Sequence, residues 1–306
     1  MPISTKTPLS FEELYLSFND LAQHIKLSVE KNLKIDISIG IELDEEINAY
    51  ASSNNYIGIN SGLIHKFYAD IIVYHIYDHI INFIMNKYEI HENIEYMRRI
   101  LFFMSICICL GHELGHIING HLLNNEKSIL YRYEKYSEIK NLDDIEDNLL
   151  EYDADYYCGI FMRGSLSAEV NFDCNGDKNQ AVIDLISSSA YMFFYTILGD
   201  EDNTYNYPPK SIRMHTVVTG FHYAPQAINK MKDFFIIPYD EKVANHYKEL
   251  QNIIAKCYQN TDRDIKLDTK EEINEWLDML NKNKELLIKR HLDTDKIRQE
   301  HLDQSR

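Results

Sequence analysis

The sequence predicts an α+β fold that is mostly helical, built around one small antiparallel sheet with an edge strand beside a long central helix and ending in a helical C-terminal extension. Three observations predict it. Glycine (11) and proline (6) are scarce among 306 residues, which disfavours a turn-rich all-β architecture. Apolar residues recur at helical spacing along most of the chain. Only between residues 33 and 60 does the pattern change to a period of two.

The elements follow in order. Leu14, Phe18, Leu21, Ile25 and Val29 form one stripe of an amphipathic helix over 9–32. Ile35, Ile37, Ile39 and Ile41 then alternate with mostly polar or small residues, as in a strand with one buried face. Two short strands are expected around Ile47–Ala51 and Tyr56–Ile59, joined by a turn at Ser52-Ser53-Asn54-Asn55, where asparagine tolerates positive φ. Helices are predicted over 63–86, 94–122, 147–163, 179–198 and 211–234, with a charged loop at 126–148. The stretch Gly199–Lys210, with its Pro-Pro pair, reads as a loop. Beyond about 240 the chain is amphipathic, and 282–306 is a highly charged, solvated helical end. The division is therefore an N-terminal helix (1–32), a main domain (33–235) and a charged extension (236–306).

Composition narrows the function. A chain of this length buries roughly 75% of its unfolded surface and needs no covalent staples. With 48 acidic and 31 basic residues the net charge is −17, which speaks against nucleic acid as a partner. Five cysteines with no CxxC pair exclude a disulfide framework and a cysteine zinc ribbon, and fit a reducing, cytoplasmic compartment. The first ten residues carry no secretory pattern, and the longest apolar run, Ile100–Leu110, is shorter than the ~18–20 residues a bilayer requires, so no membrane insertion is expected.

The chemistry is concentrated in residues 111–121, GHELGHIINGH. On a helix, His112 and His116 lie about 40° apart and one turn up the same face, so both imidazoles reach one ion. Glu113 follows the first histidine, close enough to take a proton from a water at the metal without occupying a coordination position. This is the HExxH arrangement, and its expected cofactor is one Zn2+ per chain. The motif ends the most apolar helix of the sequence, so its polar groups enter a largely dry interior, where such a cluster is costly without a metal.

A catalytic zinc takes a third protein ligand and keeps a position open. His121, nine residues after His112, falls about 180° round a continuing helix and reads as a packing or capping residue. In Glu151-Tyr152-Asp153-Ala154-Asp155 the two outer carboxylates share a helical face, and the small Ala154 admits close helix packing. Glu151 is the expected ligand, with Asp155 hydrogen-bonded to a ligand imidazole; the reverse assignment is the alternative. Cys107 and Cys109 read as core residues. His75 and His79, spaced i,i+4 on an aromatic-rich helix, lack an acidic partner nearby in sequence.

HExxH followed by Glu-xxx-Asp resembles the gluzincin metallopeptidases, in particular the HtpX and CAAX-protease type. Asn48-Ala49-Tyr50-Ala51, Tyr56-Ile57-Gly58-Ile59 and Gly62-Leu63-Ile64 are similar to that family's N-A-F-A…Y-I-x-V-x-x-G-L-L. The resemblance implies an edge strand over the cleft, at Asn48, Ala49 and Ala51, that pairs with an extended substrate. Tyr207-Pro208 followed by Arg213 is similar to the family's H-P-x-x-x-x-R, with Tyr207 where the family has histidine. The resemblance implies that Tyr207 or Arg213 steadies a developing oxyanion; Arg213 as partner of an acidic residue near the metal is the other reading. The chain lacks the membrane helices of the integral-membrane members and is similar in this to the Lit-like phage-exclusion peptidases.

The expected function is zinc-dependent endopeptidase hydrolysis of a protein or peptide bound as an added strand. The competing expectation is a catalytically silent or latent zinc-binding module, bound or switched on by a partner protein, with the charged segment 126–148 near the cleft as the responsive part.

Overall fold

The computed structural model describes residues 10–122, 142–166, 170, 172–198, 208–227, 248, 250, 252–257, 268–283 and 285. Helix α1 spans Phe11–Leu33 and starts with a capping box, in which Ser10 accepts from the Glu13 amide while the Glu13 carboxylate accepts from the Ser10 amide. Phe18, Ala22, Ile25 and Val29 bury its apolar stripe in the main core.

Strands β1 (Ser38–Glu42), β2 (Ala49–Ala51) and β3 (Tyr56–Asn60) form the one described sheet, in the order β1-β3-β2. The fold is α+β and mostly helical, as predicted, but the sheet is mixed rather than antiparallel. β2 and β3 form the expected hairpin, with Asn55 at φ 59 in the turn and the Ser52 amide bonded to the Tyr56 carbonyl. β1 pairs with β3 in parallel, Ser38 opposite Tyr56 through Glu42 opposite Asn60. The reason is burial. Ile57, Gly58, Ile59 and Asn60 are buried in succession, the mark of a strand covered on both faces, so β3 takes the centre. The acidic segment 44–46 carries the chain over the end of β3, where the Gly62 amide donates to the Asp44 carbonyl, instead of making a tight turn.

The expected 63–86 helix is broken into α2 (Ser61–Tyr68), a π-helical turn (Ala69–Val73) and α3 (Asp78–Tyr88). His75 stands at φ 55 between them, so His75 and His79 do not share a helix. The site is carried by α4 (Ile94–Ile118), α5 (Leu142–Leu166) and α7 (Lys210–Ala227), with α6 (Lys178–Leu198) packed on α4 and α7. Helix α4 alone among the described helices is long and apolar enough to cross a membrane; 94% of its most apolar stretch is buried inside the protein. Cys107 and Cys109 are core residues there. Past residue 240, Leu250, Ile254 and Cys257 join the main core, and Trp276 and Leu280 pack with Leu149, Tyr152 and Ile212. These described residues show the buried side of the amphipathic pattern expected past 240; of the charged end 282–306, all but 282, 283 and 285 lies outside the described residues.

Candidate metal centre

Small residues set the spacing of the three helices. Gly115 of α4 lies against Ala154 of α5, where a Cβ on the glycine would stand 2.8 Å from the Ala154 Cα and carbonyl oxygen. Gly159 of α5 and Gly220 of α7 meet in the same way, a Cβ on Gly220 falling 2.1 Å from the Tyr156 carbonyl oxygen. These crossings press the polar faces of α4, α5 and α7 together inside the protein.

Into that junction point His112, His116 and Glu151, with exposures of 0%, 1% and 4%. The two Nε2 atoms are 3.1 Å apart, His112 Nε2 is 3.3 Å from Glu151 Oε2, and His116 Nε2 is 3.5 Å from Glu151 Oε1. Metal–ligand bonds of about 2.0–2.1 Å at tetrahedral angles place neighbouring donor atoms roughly 3.3 Å apart. The three separations, with each imidazole measured to a different oxygen of Glu151, lie near that value; one donor atom from each residue falls within 4.8 Å of the others, and the set of two imidazoles and a carboxylate is one that zinc accepts. The buried neighbourhood holds four carboxyl groups, on Glu113, Glu151, Asp153 and Asp155, against the guanidinium of Arg213 and the imidazole of His112, a balance that a dication improves.

Buried partners hold the three converging side chains, and one of them, Arg213, places Nη2 3.4 Å from His112 Nε2. Asp155, fully buried, is 2.8 Å from His112 Nδ1, so it orients the ring and leaves Nε2 to face the junction. Arg213 donates to Asp155 through Nε (2.7 Å) and Nη2 (3.0 Å) and to Glu151 through Nη2 (3.0 Å). Its guanidinium stacks on Phe194 with 4.1 Å to the ring centre. Arg213 therefore occupies the second of its two expected places, beside acidic residues at the metal set. Tyr207 lies outside the described residues, as does 123–141, most of the charged segment proposed to respond to a partner.

His121 was expected to face away, and the structure places it elsewhere. An angle of 180° holds only along a continuing helix, but α4 stops at Ile118. Gly120 adopts φ 72, its amide donates to the Ile117 carbonyl and the His121 amide to the His116 carbonyl, a Schellman turn. The turn folds His121 back, so its Nδ1 is 2.9 Å from His116 Nδ1 and its Nε2 is 2.9 Å from Asp153 Oδ2. Asn119-Gly120 was the signal in the sequence, since such a pair ends helices with a reversal. Neither His121 nor Asp155 joins the three converging groups; each bonds the far side of a ligand ring.

Glu113 is 1% exposed. One carboxyl oxygen accepts from the Ala51 amide of β2, while Oε2 is buried with no hydrogen-bond partner among the described residues. Leaving such an atom unpaired costs about 1–3 kcal/mol, so the position is suited to something that donates to it. Burial is the main reason its pKa rises to about 7, with the Glu151 charge adding and the His112 and Arg213 charges opposing. Burial lowers His112, but the charges and hydrogen bonds of Asp155 and Glu151 outweigh it and raise its pKa to about 9. Burial holds His116 neutral. Burial would raise Glu151, but His112, His116 and Arg213 together keep it well below the usual carboxylate range.

The edge strand lies next to Glu113. The Asn48 carbonyl and Ser52 amide bond to β3, and Tyr50 is opposite Gly58, so by alternation the amide groups of Ala49 and Ala51 point away from β3. Asn48, Ala49 and Ala51 are all buried, and Asn48 Oδ1 has no hydrogen-bond partner among the described residues. In comparisons with family models, curated proteins and solved structures, nothing matches the chain.

Proposed function

We propose that the protein is a zinc-dependent metalloendopeptidase of the gluzincin type. The observation that carries the proposal is the convergence of His112, His116 and Glu151 at tetrahedral separations, beside a Glu113 oxygen that lacks a partner. In the bound state the zinc ion supplies Lewis-acid polarisation of a substrate carbonyl and of water. Glu113, with a pKa near 7, takes the proton of the attacking water and delivers it to the departing amine. The outward groups of Ala49 and the outward carbonyl of Ala51 receive the substrate backbone as an added strand, while the Ala51 amide stays with Glu113, placing the scissile bond near Glu113. Asp155 and Arg213 keep the His112 and Glu151 side chains aimed at the ion.

Zinc content per chain and peptide hydrolysis, measured on wild type, Glu151→Ala and Glu113→Gln, test the reading. Expected are about one zinc in wild type, a large loss in Glu151→Ala, and retained zinc with no turnover in Glu113→Gln. Wild type without zinc after incubation with the metal, or an active Glu113→Gln, ends the proposal.

One observation favours a latent form of this enzyme. The ligands, Glu113, Ala49 and Ala51 are each no more than 4% exposed, so a substrate strand needs an opening movement to reach them. In that form a partner protein supplies the opening, and zinc-loaded protein alone is slow on any peptide.

A further inference from the structure

We infer that His121 and Asp153 form a hydrogen-bonded pair whose role is to fix the tautomer and direction of His116, a task that Asp155 performs directly for His112. The inference rests on the metal reading of the site and adds two residues to it.

The argument is one of counting protons along a chain of three groups. His116 Nδ1 and His121 Nδ1 lie 2.9 Å apart, so one hydrogen sits between two ring nitrogens. His121 Nε2 is 2.9 Å from Asp153 Oδ2, and an ionised carboxylate only accepts. His121 Nε2 therefore carries a hydrogen. With His121 neutral, that hydrogen is its only one, so its Nδ1 is the acceptor and the shared hydrogen belongs to His116 Nδ1. His116 Nε2 is then left with a bare lone pair, and that atom faces His112 Nε2 and Glu151. Every hydrogen in the chain is placed by the last group, Asp153.

The surroundings make the chain rigid. His121 and Asp153 are 1% and 3% exposed, so water does not compete for their hydrogen bonds. The Schellman turn at Gly120 fixes the backbone of His121, and the Asn119 side-chain amide donates to the Asp153 carbonyl at 3.4 Å, tying the turn to α5. Asp153 lies two residues from both Glu151 and Asp155, so it leaves α5 on the opposite side and reaches His116 only through His121. The two ligand histidines are thus gripped from two sides by alternate residues of one helix.

Partners of this kind change metal affinity by about 10–100-fold when removed. The test compares His121→Gln, His121→Leu and Asp153→Ala with wild type, using zinc affinity by competition with a chromophoric chelator and thermal melting as a check on folding. Glutamine accepts from His116 Nδ1 through its carbonyl and donates to Asp153 through its amide, so it preserves the chain. Expected are affinity within about threefold of wild type for His121→Gln and a loss of about 10–100-fold for His121→Leu and Asp153→Ala. Long-range 1H–15N correlation of the histidine rings in wild type is expected to show His116 protonated on Nδ1, with and without zinc. Wild-type affinity in folded His121→Leu and Asp153→Ala, a His121→Gln as weak as His121→Leu, or a His116 ring protonated on Nε2 in the metal-free protein overturns the inference. If wild type binds no zinc, the metal reading fails, and the tautomer seen in the metal-free protein still decides the pairing.

Discussion

Gly115 in the HELGH segment of α4 and Ala154 between Glu151 and Asp155 of α5 are in backbone contact, so that one methyl group added to Gly115 would stand 2.8 Å from the Ala154 Cα. The smallest residues of the two motifs are what allow their largest polar groups to converge. Gly115→Ala gives better helix propensity by about 1 kcal/mol but forces α4 and α5 apart, at an overpacking cost of about 1–3 kcal/mol. The expected result is a small net loss of stability in urea and a disproportionate loss of zinc, because the separations between ligand atoms change. Full zinc content in Gly115→Ala would show that the contact does not set the site.

Arg213 bonds Asp155 and Glu151 from a position that is 2% exposed. Removing one partner of such a buried group costs about 3–5 kcal/mol, since the other charges stay behind unpaired. Arg213→Met is expected to be destabilised by about that amount in the metal-free protein. Arg213→Lys should recover little, because a point charge cannot reproduce the two-pronged contact with Asp155 or the stacking on Phe194. Zinc should narrow the gap by supplying positive charge. Equal stability of Arg213→Lys and wild type would argue for a purely Coulombic role.

Much of this was legible in the sequence. The spacing of His112 and His116 fixes a shared helical face, the spacing of Glu151 and Asp155 another, and the structure brings the two faces together. The hairpin turn followed from Asn55. What was missed has a physical cause in each case. The parallel pairing of β1 with β3 depends on which strand is covered on both faces, a tertiary fact that alternation in one strand does not carry. His121 was misplaced because a helical projection was carried past Gly120, although the glycine itself announced the reversal. Asp153 was passed over because it lies on the other face of α5 from Glu151, and only the folded-back His121 gives it a role.

The burial of the ligands predicts slow metal exchange. With His112, His116 and Glu151 no more than 4% exposed, a chelator reaches the ion only through opening of the structure. Zinc release into excess chelator is expected to be independent of chelator concentration and to accelerate with low denaturant. The same opening limits substrate entry, so conditions that speed release should raise peptidase activity in parallel until unfolding begins. Release proportional to chelator concentration would mean that the site is reached without opening, and the latent form would lose its support.

Zinc binding should release a proton from His112. Although burial lowers its pKa, Asp155 and Glu151 raise it to about 9, so in metal-free protein at pH 7 to 8 the ring is charged and its Nε2 hydrogen faces Glu151. The folded-state value lies above the ordinary one of about 6.5. In the metal-free protein this contact therefore stabilises the fold fully below about pH 6.5 and is lost as pH rises through about 9. Metal binding runs the other way, since the ion needs the lone pair that the proton holds. Apparent zinc affinity is expected to rise about tenfold per pH unit between pH 6.5 and 8.5, approaching a plateau near 9. Calorimetric titration at pH 7.5 in buffers of different ionisation enthalpy should report close to one proton released per zinc, and fewer in Asp155→Asn, where the charge that holds the proton is gone. Zero protons released by wild type would mean that His112 is already neutral and that Asp155 acts on it by orientation alone.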